Sequence, residues 1–242
     1  RSLVCPDQTN IKRGGFPMTE TAIADLSRRS VLRAGVNLGN ILLVTGQSTN
    51  GDPKGISPDM AATIANQLGV KVEYITYATP GAVADAADRD EWDIALIANE
   101  PKRAEKIAFC SAYVEIEATY LVRAGAPFKV VSDVDTPGVS IAVSARAAYD
   151  LYLSRKLKHA TLHRAEGLSG AFDLFLNKKL DALAGLAPAL IDNAKTEQGL
   201  VVLGGCYTSV QQAIGTQFGK VALNNFVERV IGEALVTGFV TE

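Results

Sequence analysis

The sequence predicts an α/β protein made of two Rossmann-like lobes that are joined by two hinge strands. From about residue 30 onward, short apolar β-runs alternate with helical patterns, which is typical of a parallel sheet covered by helices. The same alternation restarts at Val139. Two longer extended segments, residues 113–122 and 207–215, connect the two series. A second lobe that is inserted into the first accounts for all three observations.

The predicted lobe boundaries follow from the positions of these long segments. We expect an N-terminal extension at residues 1–29, a first lobe formed by residues 30–120 and 212–242, and a second lobe at residues 121–211. Ligands of open parallel sheets bind beyond the carboxyl ends of the strands. In this arrangement those ends face each other across a hinge, so the two lobes would close on a ligand.

The elements of the first lobe are predicted from apolar periodicity and from helix-boundary residues. Pro58 lies in the first turn of a helix, where its missing N–H costs nothing, and Gly69 ends that helix. In order, the elements are a strand at 32–37, a helix at 57–68, a strand at 70–74, a helix at 80–87, a strand at 93–97 and a short helix at 101–106.

The second lobe repeats this order with similar spacing. Its predicted elements are a strand at 139–143, a helix at 146–157, a strand at 161–163, a helix at 167–176, a strand at 180–184, a helix at 188–195 and a strand at 200–203. A final amphipathic helix at 221–233 is expected to return to the first lobe and complete it.

Composition excludes several classes of protein. The chain has 242 residues, of which 48% are hydrophobic and 21% charged, and a formal net charge of −2, so it can bury two cores of ordinary size. No basic stripe with interleaved aromatic residues is present, and no nucleic-acid partner is predicted. No apolar run approaches the ~20 residues that a membrane span requires.

The N-terminal region contains a pattern similar to an export signal. Ser27-Arg28-Arg29-Ser30-Val31-Leu32 resembles a twin-arginine motif, but Arg33, Asn37 and Asn40 interrupt the apolar stretch that follows, and no small-residue cleavage site is present. The stretch is better interpreted as the first strand. Met18 is a plausible start, with Thr19-Glu20-Thr21 as a helix cap, so we expect the first 17 residues to lie outside the fold.

The cysteines and histidines do not form a metal-binding pattern. Cys5, Cys110 and Cys206 lack metal-ligand spacing, and either inert thiols or a Cys110–Cys206 bridge is compatible with the sequence. His159 and His163 lie four residues apart without an acid or a thiol to complete a site. We therefore predict no metal and no cofactor.

Nucleophile and phosphate-loop motifs are also missing, and this argues against common enzyme classes. The sequence has no GxSxG, Walker loop, HExxH or GxGxxG after a strand. The segment Gly35-Val36-Asn37-Leu38-Gly39-Asn40 has two of the glycines of a phosphate loop but lacks the third and the following helix. It is better interpreted as a tight turn after the first strand.

One arginine stands out by its position. Arg103 lies in the first turn of a short helix that follows the buried strand 93–97, and the helix dipole disfavours a cation there. An anionic partner is therefore expected. Either a ligand carboxylate bound bidentately, or a surface pair with Glu100 or Glu105, would satisfy the guanidinium.

Several segments together resemble a known family, the solute-binding proteins of ABC-type amino-acid importers (extracellular solute-binding proteins, family 3). They are Leu32-Arg33-Ala34-Gly35-Val36-Asn37, Gly55-Ile56-Ser57-Pro58-Asp59-Met60, Trp92-Asp93-Ile94-Ala95, Pro101-Lys102-Arg103-Ala104-Glu105-Lys106-Ile107-Ala108-Phe109-Cys110, residues 139–149 and Leu180-Asp181-Ala182-Leu183. The resemblance covers about residues 30–240. It implies the periplasmic binding protein type II fold, a small carboxylate-bearing solute such as an amino acid or a related organic acid, and an ABC permease as partner. It further implies a monomer in the periplasm or at the exterior of the cell envelope, without enzymatic activity.

The resemblance also implies a set of ligand-binding positions. Arg103 falls where the family binds the ligand carboxylate, and Ser144, Arg146 and Ala147 fall on the second-lobe loop whose amides help to hold it. Tyr149 follows one turn later, where a ligand contact and a buried packing role are equally compatible. The remaining expected contacts in the first lobe are Asn37, Asn40, Ala98 and Asn99.

Three departures from the family pattern concern the other end of the ligand. Leu186 follows Gly185 where the family commonly has a carboxylate for the α-ammonium group, Ala98 replaces a usual Ser or Thr, and Asn40 replaces an aromatic residue. An unpaired ammonium in a closed cleft is costly. Either Glu117, or less favourably Glu115, supplies the missing charge, or the ligand has no α-amino group.

Two further hypotheses about the function of this fold stay open at this point. Relatives resembling cyclohexadienyl dehydratases carry out an acid–base elimination in the cleft, for which Glu117 would have to be the general acid. A ligand-sensing module would close in the same way and signal to a partner. On the hinge strand, Gln211 and Gln212 point to opposite faces, so at most one is expected to reach the cleft.

Overall fold

A computed structural model describes residues 17–239, and it confirms the predicted α/β architecture. The described residues form eleven strands: β1 (Val31–Asn37), β2 (Gly46–Gln47), β3 (Pro53–Lys54), β4 (Lys71–Tyr77), β5 (Ile94–Ala98), β6 (Ile107–Arg123), β7 (Ser140–Ser144), β8 (Thr161–Ala165), β9 (Ala182–Leu186), β10 (Leu200–Val202) and β11 (Thr208–Gln217). They also form eight α-helices: α1 (Pro17–Ala24), α2 (Ile56–Leu68), α3 (Pro80–Asp85), α4 (Pro101–Ala104), α5 (Ala148–Lys156), α6 (Gly167–Asn177), α7 (Ala187–Thr196) and α8 (Val221–Thr237).

Nine of these strands form one mixed sheet in the order β4-β1-β5-β11-β6-β9-β7-β8, with β10 paired to β6. The two ends of the sheet are parallel: β1 pairs with β4 and β5, and β7 pairs with β8 and β9. The long strands β6 and β11 are antiparallel to each other and connect these ends. They are the two predicted hinge strands.

We refer to the β4-β1-β5 end, with α1–α4 and α8, as the first lobe, and to the β9-β7-β8 end, with α5–α7, as the second lobe. The predicted boundaries at residues 120/121 and 211/212 both fall inside the hinge strands β6 and β11. Because these strands run continuously from one lobe into the other, the exact boundary residues stay predictions.

The N-terminal boundary predicted at residue 29 is too late. Residues 1–16 lie outside the described part of the chain, but α1 packs against α8 and is part of the first lobe. Ala22 and Leu26 are buried in its core, and the Leu223 amide donates a 3.0 Å hydrogen bond to the Asp25 carboxylate. The residues Thr19-Glu20-Thr21, which were expected to cap a helix, lie inside α1.

Helix α2 shows how closely local sequence determines the boundaries. Gly69 adopts a left-handed conformation with φ 72°, and its amide donates to the carbonyls of Ala65 and Asn66, which closes the last turn. Pro58 lies in the first turn as predicted. The apolar residues Met60 and Ile64 recur at helical spacing and are buried against the sheet.

Arg33, which interrupts the apolar run of the first strand, is buried and paired. Its guanidinium lies 2.9 Å from the carboxylate of Asp93, the residue just before β5, and the Arg33 backbone amide donates to the same carboxylate at 2.8 Å. Ser27 joins this network through its amide. The strand prediction for this stretch is therefore confirmed, and the interruption is a structural ion pair.

Apolar residues cover both faces of the sheet. Beneath α3, Val83 packs with Trp92 and Ile97; beneath α6 and α7, Phe175 packs with Leu121 and Leu190. The largest cluster continues from the first lobe into the second and includes Met60, Ile64, Phe226, Ile231, Ile141 and Leu153. These cores fix the strand ends that face the cleft between the lobes.

A few element positions differ from prediction. Strand β6 begins at Ile107, six residues before the predicted start, and β9 ends at Leu186 where 184 was expected. The short β2–β3 hairpin was not predicted. Among residues 17–239, no helix is both long and apolar enough to cross a membrane, and no cluster of acidic, histidine and cysteine side chains has the geometry of a metal site.

Candidate ligand-binding cleft

Between the two lobes lies a cavity of about 60 Å³, at the carboxyl ends of their parallel strands. From the first lobe it is lined by Asn37 and Ala98, the last residues of β1 and β5, by Asn40, Thr79 and Pro80, and by Arg103 of α4. From the second lobe it is lined by Ser144 and Leu186, the last residues of β7 and β9, and by Ala147, Ala148, Tyr149 and Leu168. This is the location that open parallel sheets favour for ligands.

Arg103 is the charged residue of the lining, and it is 5% exposed. Its Nη1 donates to the Ala98 carbonyl and its Nη2 to the Arg146 carbonyl, both at 2.9 Å. Burial lowers the pKa of Arg103 to about 10, although nearby Glu100 opposes this effect. The guanidinium is thus cationic at neutral pH, and its burial rules out the alternative of a surface pair with Glu100 or Glu105.

Glu100 instead pairs with an arginine of the other lobe. Its side chain is buried at the start of α4, where one oxygen accepts a 3.0 Å hydrogen bond from the Lys102 amide, while the other contacts Arg155 of α5. This ion pair joins the lobes at one side of the cleft. Because Glu100 is paired with Arg155, Arg103 is the cation that faces the cavity.

Arg146 joins the lobes at a second point. It lies between β7 and α5 with φ 60°, and its guanidinium contacts the Asp85 carboxylate of α3 at 2.6 and 2.8 Å. The same side chain packs on Gly81, where an added Cβ would lie 2.8 Å from the Arg146 Cζ. The Arg103–Arg146 hydrogen bond adds a third link, so the structure shows the lobes closed on each other.

The expected role of the Arg146 side chain as a ligand contact is corrected by this geometry. Its guanidinium points to Asp85 and the Gly81 carbonyl, and it is not part of the cavity lining. The left-handed backbone turns the side chain away while the carbonyl remains within reach of Arg103. Arg146 therefore contributes through its backbone and through interlobe contact.

Asn99 and Glu117 are also placed outside the cavity. Asn99 is exposed beside Glu100 in a separate surface groove. Its backbone amide donates a hydrogen bond to the backbone carbonyl of Gln211. Glu117 is exposed on β6, opposite Ser209 of β11. The expectation that Glu117 supplies a charge to the cleft is corrected, because its side chain leaves the strand on the solvent side.

Other predicted positions are brought together as expected. Asn37, Asn40, Ala98, Arg103, Ser144, Ala147 and Leu186 all line the cavity. Of the two hinge glutamines, Gln212 is buried and lines the cavity, whereas Gln211 does not. The Asn37 and Asn40 side-chain oxygens accept hydrogen bonds from the nearby Gly39 and Leu42 amides, so their amide nitrogens are the donors they can offer a solute.

Tyr149 contributes a buried hydroxyl to the lining. Tyr149 is 3% exposed, and its hydroxyl lies near the Ser144 side chain but has no partner within the described residues at hydrogen-bond distance and angle. Burial raises the pKa of Tyr149, which nearby Ser144 partly opposes. At neutral pH the hydroxyl is protonated and can donate or accept one hydrogen bond.

Some residues of the site were not predicted from the sequence. Thr79 and Pro80 line the cavity because they follow β4, and the Thr79 hydroxyl caps α3 by accepting from the Ala82 amide at 3.2 Å. A polar residue before proline at a strand end is a signal that could have indicated them. The interlobe partners of Arg146 and Arg155 have no such local signal.

The cysteines do not contribute to the cleft. Cys110, at the start of β6, is buried and free, and Cys206 is exposed and free before β11. Burial raises the pKa of the Cys110 thiol to about 12. The bridge between them that the sequence left open is not formed, and Cys5 lies outside the described residues.

Comparison with known proteins identifies the family. The family model described as bacterial extracellular solute-binding proteins, family 3, matches residues 42–236. A search of the curated proteins finds no match.

Several solved structures share the fold. A mutant of ArgBP from T. maritima is 20% identical, with a TM-score of 0.74 over 91% of this chain and 96% of that one. An amino acid ABC transporter substrate-binding protein from Streptococcus pneumoniae, bound to L-arginine, is 20% identical, with a TM-score of 0.75 over 91% and 94%. The ancestral amino acid-binding protein AncCDT-1, a precursor of cyclohexadienyl dehydratase, is 24% identical, with a TM-score of 0.75 over 90% and 95%.

Proposed function

The chain belongs to the bacterial extracellular solute-binding proteins, family 3, and we propose that it traps a small carboxylate-bearing solute between its lobes for delivery to an ABC permease. The family works outside the cytoplasmic membrane, and we propose the same location, the periplasm or the exterior of the cell envelope, for this protein. A monomer is sufficient for this role, because both halves of the cleft come from one chain.

The observation that carries the proposal is the position of Arg103. Arg103, which is 5% exposed, lines the cavity, and the two hydrogen bonds of its guanidinium within the described residues go to backbone carbonyls. A guanidinium has five N–H donors, so further donors remain for a solute. Buried charges are normally paired, and a planar carboxylate matches the guanidinium geometry.

The arrangement of the lobes supports a clamp. Arg103 donates to a carbonyl of its own lobe and to a carbonyl of the other lobe. A carboxylate bound at Arg103 would therefore lie at the junction where the lobes meet. Binding there favours the closed state, because that state alone brings both sets of contacts to the solute.

The experiment is a screen of amino acids, short organic acids and polar amides by thermal shift, followed by calorimetry on the wild type and two variants. We expect Arg103→Ala to weaken binding of the selected solute by at least a hundredfold, since charged hydrogen bonds of this kind contribute about 1.5–3 kcal/mol each. Arg229→Ala is the matched control, because it removes an exposed arginine of α8 that pairs with Glu233. A solute whose affinity survives Arg103→Ala would contradict the proposal, and circular dichroism checks that both variants fold.

The dehydratase alternative loses its candidate acid in this structure. An elimination of that type needs a general acid or base that reaches the substrate. Glu117 is exposed outside the cavity, and no Asp or Glu is among the described residues that line it. Incubation with prephenate or arogenate and detection of product would overturn our preference for a binding protein.

A further inference from the structure

The charges around the cavity also bear on whether the proposed carboxylate-bearing solute has an α-ammonium group. We propose that the solute is a small monoanionic acid without an α-ammonium group, such as a 2-hydroxy or 2-oxo acid. This inference rests on the proposed function, because it assumes that the carboxylate is bound at Arg103.

The first step concerns the strand ends that surround the carboxylate position. Asn37 ends β1, Ala98 ends β5 and Leu186 ends β9, and all three line the cavity. Each is uncharged, and among the described lining residues Arg103 is the charged one. A solute in this cavity therefore meets a positive charge and no negative one.

The second step concerns three carboxylates at the interface between the lobes, each of which is held by an arginine. Asp85 pairs with Arg146, and this contact lowers the pKa of Asp85. Glu100 pairs with Arg155.

Asp150 of α5 is the third such carboxylate. It accepts from the Arg146 amide at 2.7 Å and from the Arg164 Nε at 3.0 and 3.1 Å. None of the three lines the cavity. An ammonium group could recruit one of them only by breaking an existing pair.

The third step concerns the free-energy cost of placing an ammonium group in the cleft. It would lose its hydration and lie near the like charge of Arg103, in a lining whose other described residues, among them buried Leu186, are uncharged. A buried charge without a partner is strongly unfavourable, and a nearby cation adds to this cost. The zwitterion is thus rejected by the same arginine that attracts its carboxylate.

The cavity offers neutral hydrogen-bonding groups in place of an acid. The buried Tyr149 hydroxyl makes no hydrogen bond within the described residues, and Thr79, Ser144 and the Gln212 amide also line the cavity. These groups can bind a hydroxyl or a carbonyl without a charge. The cavity of about 60 Å³ provides about four to six water-sized positions, which suits an acid with a short carbon chain.

The test compares acids that differ only at the second carbon, measured by calorimetry at pH 7. The pairs are L-alanine against L-lactate and pyruvate, and glycine against glycolate and glyoxylate. We expect the hydroxy or oxo acid of a pair to bind about a hundredfold more tightly than the amino acid, which corresponds to about 2.7 kcal/mol. A preference of tenfold or more supports the inference, and a smaller or reversed preference overturns it.

A gain of function provides an independent measurement. Leu186→Asp adds a carboxylate to the cavity lining, so we expect the variant to bind L-alanine at least tenfold more tightly than the wild type and L-lactate more weakly. Leu186→Asn is the control of the same size without the charge, and it should not strengthen L-alanine binding. Unchanged alanine affinity in a folded Leu186→Asp variant would count against the inference, and the wild-type pairs decide the question if that variant does not fold.

The same measurements separate the two proposals. If amino acids bind as tightly as their partners and Arg103→Ala abolishes that binding, the proposed function stands and the present inference fails. If neither member of any pair binds at millimolar concentration and the broad screen also finds no carboxylate, the proposed function itself fails, and this inference fails with it.

Discussion

The ion pair between Arg146 and Asp85 should contribute measurably to closure of the lobes. The guanidinium and the carboxylate meet through two contacts of 2.6 and 2.8 Å, one residue from each lobe. The perturbations are Asp85→Asn, Arg146→Gln and the double variant. Each removes the charge pair without adding bulk, and none of them alters the backbone carbonyl of Arg146 that accepts from Arg103.

The magnitude follows from the exposure of the two side chains, which is 55% for Arg146 and 51% for Asp85. Pairs this exposed contribute about 0.2–1 kcal/mol because water and salt screen them, and a two-contact geometry favours the upper end. We therefore expect a coupling energy of about 1 kcal/mol, which is about a fivefold change in Kd. The pair forms only when the lobes meet, so its loss should accelerate dissociation and leave association nearly unchanged.

The assay is a double-mutant cycle on the Kd of the solute that binds most tightly in the screen, with stopped-flow dissociation rates. The measurements are repeated at about 0.05 and 0.5 M salt, since an exposed pair should lose most of its coupling at the higher concentration. A coupling energy near zero at low salt, or one above about 3 kcal/mol that salt does not change, would refute the reasoning.

Two further predictions concern positions away from the cleft. Because Cys110 is buried and burial raises its pKa to about 12, its thiol should react with a disulfide reagent at pH 8 at least about tenfold more slowly than exposed Cys206. Comparison of Cys110→Ser with Cys206→Ser, both in a Cys5→Ser background, measures this difference. Gly215→Ala should lower the free energy of unfolding by about 1–3 kcal/mol, because the added Cβ would lie 2.3 Å from the Ile107 Cγ2. Urea titrations measure this change. An unchanged unfolding midpoint would show that β6 and β11 accommodate the methyl group without cost.

Local sequence was sufficient for most of the fold. The periodicity of α2 and the glycine that follows it specified that helix almost to the residue, because its stop is a backbone property of Gly69. The early part of β6 was missed because residues 107–112 mix small, polar and apolar side chains. Pairing with β11, which comes about a hundred residues later in the chain, holds that segment extended, and no local pattern reports such a partner.

The site was predictable where it depends on strand ends. Asn37, Ala98 and Leu186 each end a buried parallel strand, and all three line the cavity as expected. Alternation along β6 showed that Glu115 and Glu117 share a face, but it could not show whether that face meets the cleft or the solvent. In the structure both are exposed.

Interlobe contacts lay beyond sequence reasoning for a different reason. Arg146 and Asp85 are 61 residues apart, and Arg155 and Glu100 are 55 apart, and each pair joins the two lobes. Their meeting depends on the hinge strands and on the turn at Arg146, whose positive φ directs the side chain to α3. Neither the hinge angle nor this turn leaves a periodic signal in the chain.

The same arrangement couples closure to the charge of the solute. Glu100, Asp85 and Asp150 are neutralised by arginines outside the cavity lining, so Arg103 has no acidic counterpart among the described lining residues. Burial lowers the pKa of Arg103 to about 10, which means that the closed cleft disfavours its charged form. A carboxylate bound beside the guanidinium offsets this cost in the closed state, where the charge is buried, far more than in an open cleft that water can enter. Under the proposed function, the negative charge of a carboxylate-bearing solute would supply the difference in affinity that shifts the lobes toward closure.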